Sequence, residues 1–271
     1  MMPFPVQSLP ATRISSAVAI ARSKKKPPAS YRHRRYRQLL DPGALVSFEV
    51  KVRESDLHLL ASADRREETL HHLLAFRNQL EQYIRTCPEF LSSLVPLPPD
   101  SLAPPMVKAM LAGAAAAGVG PMAAVAGAIA EFIGKALLAS GVEEVMVENG
   151  GDIFLARNKE CVLSIFAGES PLSLKVGLTI PRERMPLGVC TSSGTVGHSL
   201  SFGTADAVTV LAPSASLADA VATRLGNEVK TEADIEAALA VARTIPGLLG
   251  AVIIKGRQLG AWGEVRLVRL G

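Results

Sequence analysis

Ala218-Asp219-Ala220-Val221-Ala222-Thr223 places a carboxylate and a hydroxyl four residues apart. On a helix that spacing puts both side chains on one face, one turn apart. Such a pair suits a hard cation that keeps water and substrate phosphates for its other sites. It also suits a helix whose Thr bonds its own backbone while Asp219 sits in the first turn, favoured by the dipole. A second group, Val147-Glu148-Asn149-Gly150-Gly151-Asp152-Ile153, packs a strand end, two glycines and a carboxylate into one corner. Glycines there let the backbone approach a ligand or take up positive φ, and Asp152 can orient donors or a metal. Asn-Gly is equally a hairpin signal. A third, Thr191-Ser192-Ser193-Gly194, carries hydroxyls that can donate to a phosphate or a base edge.

Gly118-Val119-Gly120-Pro121 and the small residues up to Gly127 lead into a helix and offer backbone N–H groups to a phosphate. No Lys-Ser/Thr follows, so this is not a Walker loop, and close helix packing needs the same small residues. Cys190 and His198 lie eight residues apart without an orienting carboxylate, a spacing with no nucleophile signature. Cys190 therefore reads as a buried strand residue, and His198 as either a ligand contact or a turn residue. His71 and His72 point about 100° apart on a helix and belong to a solvated face.

Alternation at Val46, Phe48, Val50 and Val52 predicts a strand, and the apolar spacing from Leu70 to Ile84 predicts an amphipathic helix over Ala63 to Thr86. Cys87-Pro88 stops that helix, and Pro96 to Asp100 links to the next part. Helices follow at Met106 to Ala117 and Met122 to Ser140, then strands at Glu143 to Glu148, Ile153 to Ala156, Val162 to Phe166 and Leu174 to Ile180. Beyond the Cys190-Thr-Ser-Ser turn come a strand at Ala207 to Leu211 and helices at Leu217 to Asn227 and Glu232 to Thr244. A hairpin across Gly256-Arg257 closes the chain, with strands Leu249 to Lys255 and Gln258 to Val268. Clustered strands with short turns predict an α+β fold, an antiparallel β-sheet with helices packed on one face.

The Gly-Gly-Asp corner, the Thr-Ser-(Ser)-Gly turn and the Ala-Asp-(x3)-Thr helix, in that order, resemble the ApbE superfamily of flavin transferases. The likeness runs from about Val107 to Leu225 by motif and more loosely from Tyr36 to the end, and is nearest a little-characterised branch. Most members move FMN from FAD onto a protein hydroxyl with Mg²⁺. The resemblance implies a T-fold-like α+β domain, with Mg²⁺ on Asp219, Thr223 and a backbone carbonyl at Val125. It places FAD or another nucleotide on Gly127, Asn149, Gly150, Gly151, Asp152, Thr191, Ser192, Ser193 and His198. Three departures stand out: Ala126-Gly127 where transferases carry Lys-Gly, Glu131 where they carry Asp, and no Asp-Pro after His198. The implied function is a Mg²⁺-dependent enzyme acting on a flavin or other nucleotide, with a non-catalytic small-ligand binder as the alternative.

Nine of the 29 Lys and Arg, and none of the 25 Asp and Glu, precede Asp41, so the remainder carries a net charge of −5. The high pI of 9.1 belongs to a tail. Residues 1–38 read as a disordered basic extension, and 39–271 as one domain. An acidic body makes nucleic acid the weakest partner class. Three cysteines without ligand spacing suit a reducing compartment, and the sequence carries no secretory signal, which points to the cytoplasm. Ala109 to Ala130 lacks charge for 22 residues. Its Ala, Gly and Pro content predicts two buried helices rather than a membrane span. The sequence leaves a homo-oligomer open.

Overall fold

The computed structural model describes residues 44–195 and 202–270. Strand β1, Val46–Val52, buries Phe48 and Val50 and turns back through β2, Ser55–Ala61. The sequence reading missed β2 because Leu57, Leu59, Leu60 and Ala61 are buried on both faces and the alternation disappears. Helix α1, Arg66–Thr86, packs Leu73 and Leu80 onto the sheet, while Leu70 and Leu74 stay exposed. A short α2, Glu89–Ser92, follows Pro88.

Helix α3, Pro105–Ala117, ends at Gly118, whose left-handed φ of 71° closes the turn. A 3₁₀ turn over Pro121–Ala124 then feeds α4, Val125–Ala139. The run Pro121–Ala139 is long and apolar enough to cross a membrane by length and composition alone. Within this fold it lies in the core, where Ala128, Ala130, Ile133 and Leu137 are buried. Gly134 makes room for Phe154, because a Cβ there would stand 2.1 Å from the ring.

Strands β3, Val145–Asn149, and β4, Asp152–Ala156, form the hairpin around Gly150-Gly151. Next come β5, Cys161–Ser164, β6, Val176–Ile180, and β7, Leu187–Ser192. The predicted Thr-Ser-Ser turn thus begins inside a strand. β8, Ala207–Ala212, leads to α5, Ala215–Glu228, and α6, Ile235–Thr244. The closing elements are β9, Gly250–Lys255, β10, Gln258–Gly263, and β11, Arg266–Arg269.

All pairings are antiparallel, in an eight-stranded sheet ordered β1-β2-β3-β4-β7-β8-β9-β10. Helices cover one face, as the sequence predicts. The opposite face is covered by a three-stranded sheet, β11-β6-β5, over a second core containing Leu155, Leu163, Leu178, Ile180 and Val189. The single closing strand predicted over Gln258 to Val268 is corrected here. Gly263, at φ 85°, breaks it, so that β10 stays in the large sheet and β11 crosses to the small one.

Candidate functional site

Strand parity decides which of the candidate residues can meet. Val145 and Val147 of β3 and Phe154 of β4 face the helices, so Asn149 and Asp152 do too, as does Cys190 of β7. The corner is shaped by Gly150 at φ 74° and Gly151 at φ 110°, and the Gly151 N–H donates to Glu148 Oε1 at 2.9 Å. Asn149 Nδ2 donates to the Ala126 carbonyl at 3.2 Å, which moors the corner to the start of α4.

The start of α4 has no cap from its own N-cap residue, Ala124. Its cap comes from α5: the Gly127 N–H donates to Asp219 Oδ2 at 2.8 Å. The reverse also holds. Glu131 of α4 accepts from Ser214 Oγ at 2.9 Å and from Ser216 N and Oγ at 3.0 Å each, so it caps α5, and its other oxygen takes the Lys135 ammonium at 2.5 Å. Each helix thus carries the carboxylate that satisfies the other's free N–H groups. Burial pushes the Glu131 carboxyl up. The Lys135, Ser216 and Ser214 donors outweigh that and hold it below the usual range.

Small residues allow this closeness. A Cβ on Gly127 would stand 2.3 Å from the Ala215 carbonyl oxygen, and one on Gly188 would stand 2.3 Å from Ala215 Cα. Gly127→Ala is therefore expected to part α4 from α5 and cost about 2–3 kcal/mol through overpacking. Thermal unfolding checks this, and an unchanged midpoint would show that the helices separate freely.

Asp219 is 8% exposed and lies in the second turn of α5, not the first. Burial raises its carboxyl to about 7, against the pull of the Gly127 and Ala126 N–H groups. Burial first, and then the charges of Asp219 and Glu148, hold Asp152 well above the carboxylate range, although Cys190 and the Thr191 N–H pull the other way. Burial, then the charges of Asp152 and Asp219, push the Cys190 thiol up as well, and it donates to the Ala215 carbonyl at 3.3 Å. Cys190 is a buried thiol, as the sequence implies. Among the described residues, no Lys, Arg or His pairs with Asp152 or Asp219.

Thr223 follows Asp219 by one turn, half-buried, and its hydroxyl has no hydrogen-bond partner among the described residues. The alternative in which Thr223 bonds its own backbone is thus not what the structure shows. Val125 is the first residue of α4 and half-buried. Ser192 faces α5, with its Oγ 3.7 Å from where a Gly226 Cβ would be. Ser193 Oγ accepts from the Thr195 N–H at 3.1 Å and contacts Thr195 Oγ1.

The Thr191 N–H reaches Asp152 and the Gly151 carbonyl, but its hydroxyl is not brought to this group. It shares the parity of Val189 on the opposite face and contacts Thr209 Oγ1 at 2.9 Å. His198 lies outside the described residues. Sequence reasoning noted Glu131 as a substitution but missed its role. The signal was Ser214-Ala215-Ser216, two hydroxyls at a helix start.

The family described as "AbpE bacteria" matches residues 37–260. A UPF0280 protein of Methanocella arvoryzae is 41% identical over 220 residues, 81% of this chain and 89% of that protein. One of Methanococcus aeolicus is 39% identical over 226 residues, 82% and 91% of the two chains. Among solved structures, the apo flavinyl transferase ApbE of Pseudomonas stutzeri aligns with a TM-score of 0.55 at 16% identity, over 80% of this chain and 93% of its own. The ApbE protein of Thermotoga maritima aligns at 0.52 and 11% identity, over 81% and 97%. At such identities the likeness to the solved structures is one of fold. Shared architecture and the match across most of its length place the chain in the AbpE bacteria family, an ApbE-like branch that it shares with the UPF0280 proteins.

Proposed function

We propose that this protein holds the pyrophosphate of a flavin or another nucleotide, with Mg²⁺, where α4 and α5 meet the Gly150-Gly151 corner. The observation that carries the reading is the pair of buried carboxyls, Asp152 and Asp219, both raised by burial, Asp152 by the charge of Asp219 as well, and without a basic partner among the described residues. A divalent cation would supply the missing positive charge and displace a proton.

The donors fit Mg²⁺ in kind: the Asp219 carboxylate, the Thr223 hydroxyl and the Val125 carbonyl are hard oxygens. No cluster of three or more His, Cys, Asp or Glu suited to a metal occurs among the described residues. That matches an ion which uses substrate phosphates and water rather than an all-protein cage. Once bound, Mg²⁺ would stabilise negative charge on a departing phosphate. Glu131 would keep α5, and hence Asp219, in place against α4. Gly127, Asn149, Gly150, Gly151 and Ser192 would border the ligand.

A second reading, binding without turnover, is favoured by Ala126, whose methyl group can neither steady a leaving phosphate nor carry charge. Thermal unfolding with FAD, FMN or ADP, each with and without Mg²⁺, tests both. Native-state binding raises the midpoint with ligand concentration. The expected result is a Mg²⁺-dependent rise with FAD or ADP that Asp219→Ala abolishes. Release of AMP from FAD would then separate enzyme from binder. A midpoint indifferent to every ligand would end the nucleotide reading.

A further inference from the structure

The metal end of this site is one end of a longer row. Asp219, Thr223 and Asn227 recur every four residues along α5, so each stands about 40° round from the last on one side of the helix. At about 1.5 Å per residue, the row is about 12 Å long.

Its far end holds the segment Phe202 to Thr204. The Phe202 N–H donates to Asn227 Oδ1 at 2.9 Å. The Thr204 N–H donates to the Val229 carbonyl at 2.8 Å, and Thr204 Oγ1 to the Lys230 carbonyl at 2.6 Å. Lys255 Nζ donates to the Thr204 carbonyl at 2.6 Å. Gly203 lies so close to α5 that a Cβ there would stand 1.8 Å from the Gly226 carbonyl oxygen. The backbone is therefore fastened to the helix end by named bonds and a glycine contact.

On that fastened backbone, Phe202 leaves 56% of its surface in water. Phe48, Phe90 and Phe154, by contrast, are buried in the core. A lone exposed apolar residue needs no explanation by itself. Here it stands on an anchored segment, at the end of the row that begins with the carboxylate. The row's length of about 12 Å is comparable to the reach from a pyrophosphate, through a ribose or ribityl chain, to an aromatic ring. Stacking on an aromatic side chain tolerates any base or flavin, because each has a π face.

We infer that Phe202 is the platform on which the ring of the nucleotide stacks while its pyrophosphate lies beside Asp219 and Thr223, an inference that rests on the reading given under Proposed function. The ligand class is then a nucleotide with its ring attached, as opposed to pyrophosphate alone. Calorimetric titration of the full chain with ADP, FAD and inorganic pyrophosphate, each with Mg²⁺, tests it in the parent, Phe202→Ala and Phe202→Trp. Phe202→Ala is expected to weaken ADP and FAD by about 10- to 100-fold, the span of one stacking contact. Pyrophosphate affinity should stay unchanged, and Phe202→Trp should restore both nucleotides.

Equal nucleotide affinities in the parent and Phe202→Ala would overturn the platform and leave the nucleotide site standing. A parallel loss for pyrophosphate would overturn it too, because the loop and not the ring would then be responsible. A parent that binds none of the three defeats the underlying reading and the platform together.

Discussion

Glu131→Ala is expected to lower the thermal midpoint by about 6–12 °C, corresponding to about 3 kcal/mol in a chain of this size. The carboxylate accepts from Ser214 Oγ, Ser216 N and Ser216 Oγ, and alanine strands all three at the start of α5. Hydrogen bonds to a charged acceptor are each worth about 1.5–3 kcal/mol, and their losses at one atom do not add. Lys135 is 55% exposed, so its released ammonium returns to water at little cost. Lys135→Ala should therefore lower stability by under about 1 kcal/mol, while Glu131→Gln, which keeps an acceptor, should fall between. The depressed Glu131 carboxyl contributes stability above its ordinary value of 4.5, and this is lost as pH falls through the lower folded value. A Glu131→Ala midpoint within about 2 °C of the parent would mean that α4 and α5 hold together without this clasp.

Asp219→Asn should act in the opposite direction. In the folded chain Asp219 keeps its proton up to about pH 7, whereas unfolded it gives the proton up near 3.8. The folded state therefore binds the extra proton between those values, and stability falls as pH rises from about 4 to about 7, then levels off. Asparagine has no such penalty and still offers Oδ1 to the Gly127 N–H. Above pH 7, without divalent metal, the variant should exceed the parent by about 2–4 kcal/mol, while below pH 4 the two should converge. Mg²⁺ should recover the difference in the parent and do nothing for Asp219→Asn. Urea unfolding across pH 4 to 8, in chelator and in Mg²⁺, measures both. A variant that tracks the parent at every pH, or still responds to Mg²⁺, would remove Asp219 from the metal site.

Much of this was readable before any coordinates. Helices were legible because α1 presents one apolar stripe, and because Cys87-Pro88 and Gly118 punctuate the chain. The hairpin at Gly150-Gly151 followed from its turn residues. What failed has physical causes. β2 is covered on both faces, so its run Leu57 to Ala61 loses the period-two signal. β11 hid behind Gly263, one residue whose positive φ redirects the chain between sheets. The functional motifs depended on order along the chain, because Asp219 and Gly127 meet across 92 residues and no local pattern encodes that contact. The Thr191 hydroxyl parts from that of Ser192 for the simplest reason: in a strand, adjacent side chains point to opposite faces.

The three-stranded sheet has an electrostatic consequence for the carboxyl pair it never touches. Behind β4 and β7 it packs Leu163, Leu178 and Ile180 onto Leu155 and Val189, an apolar slab in place of water. A slab of that kind screens charge poorly, so the potential of Asp152 and Asp219, once they give up their protons, is not quenched from the rear. Field lines bend away from low-dielectric walls and emerge where solvent can reach, on the helix side. The sheet pair therefore works as a one-sided lens, giving an approaching cation a direction as well as an attraction.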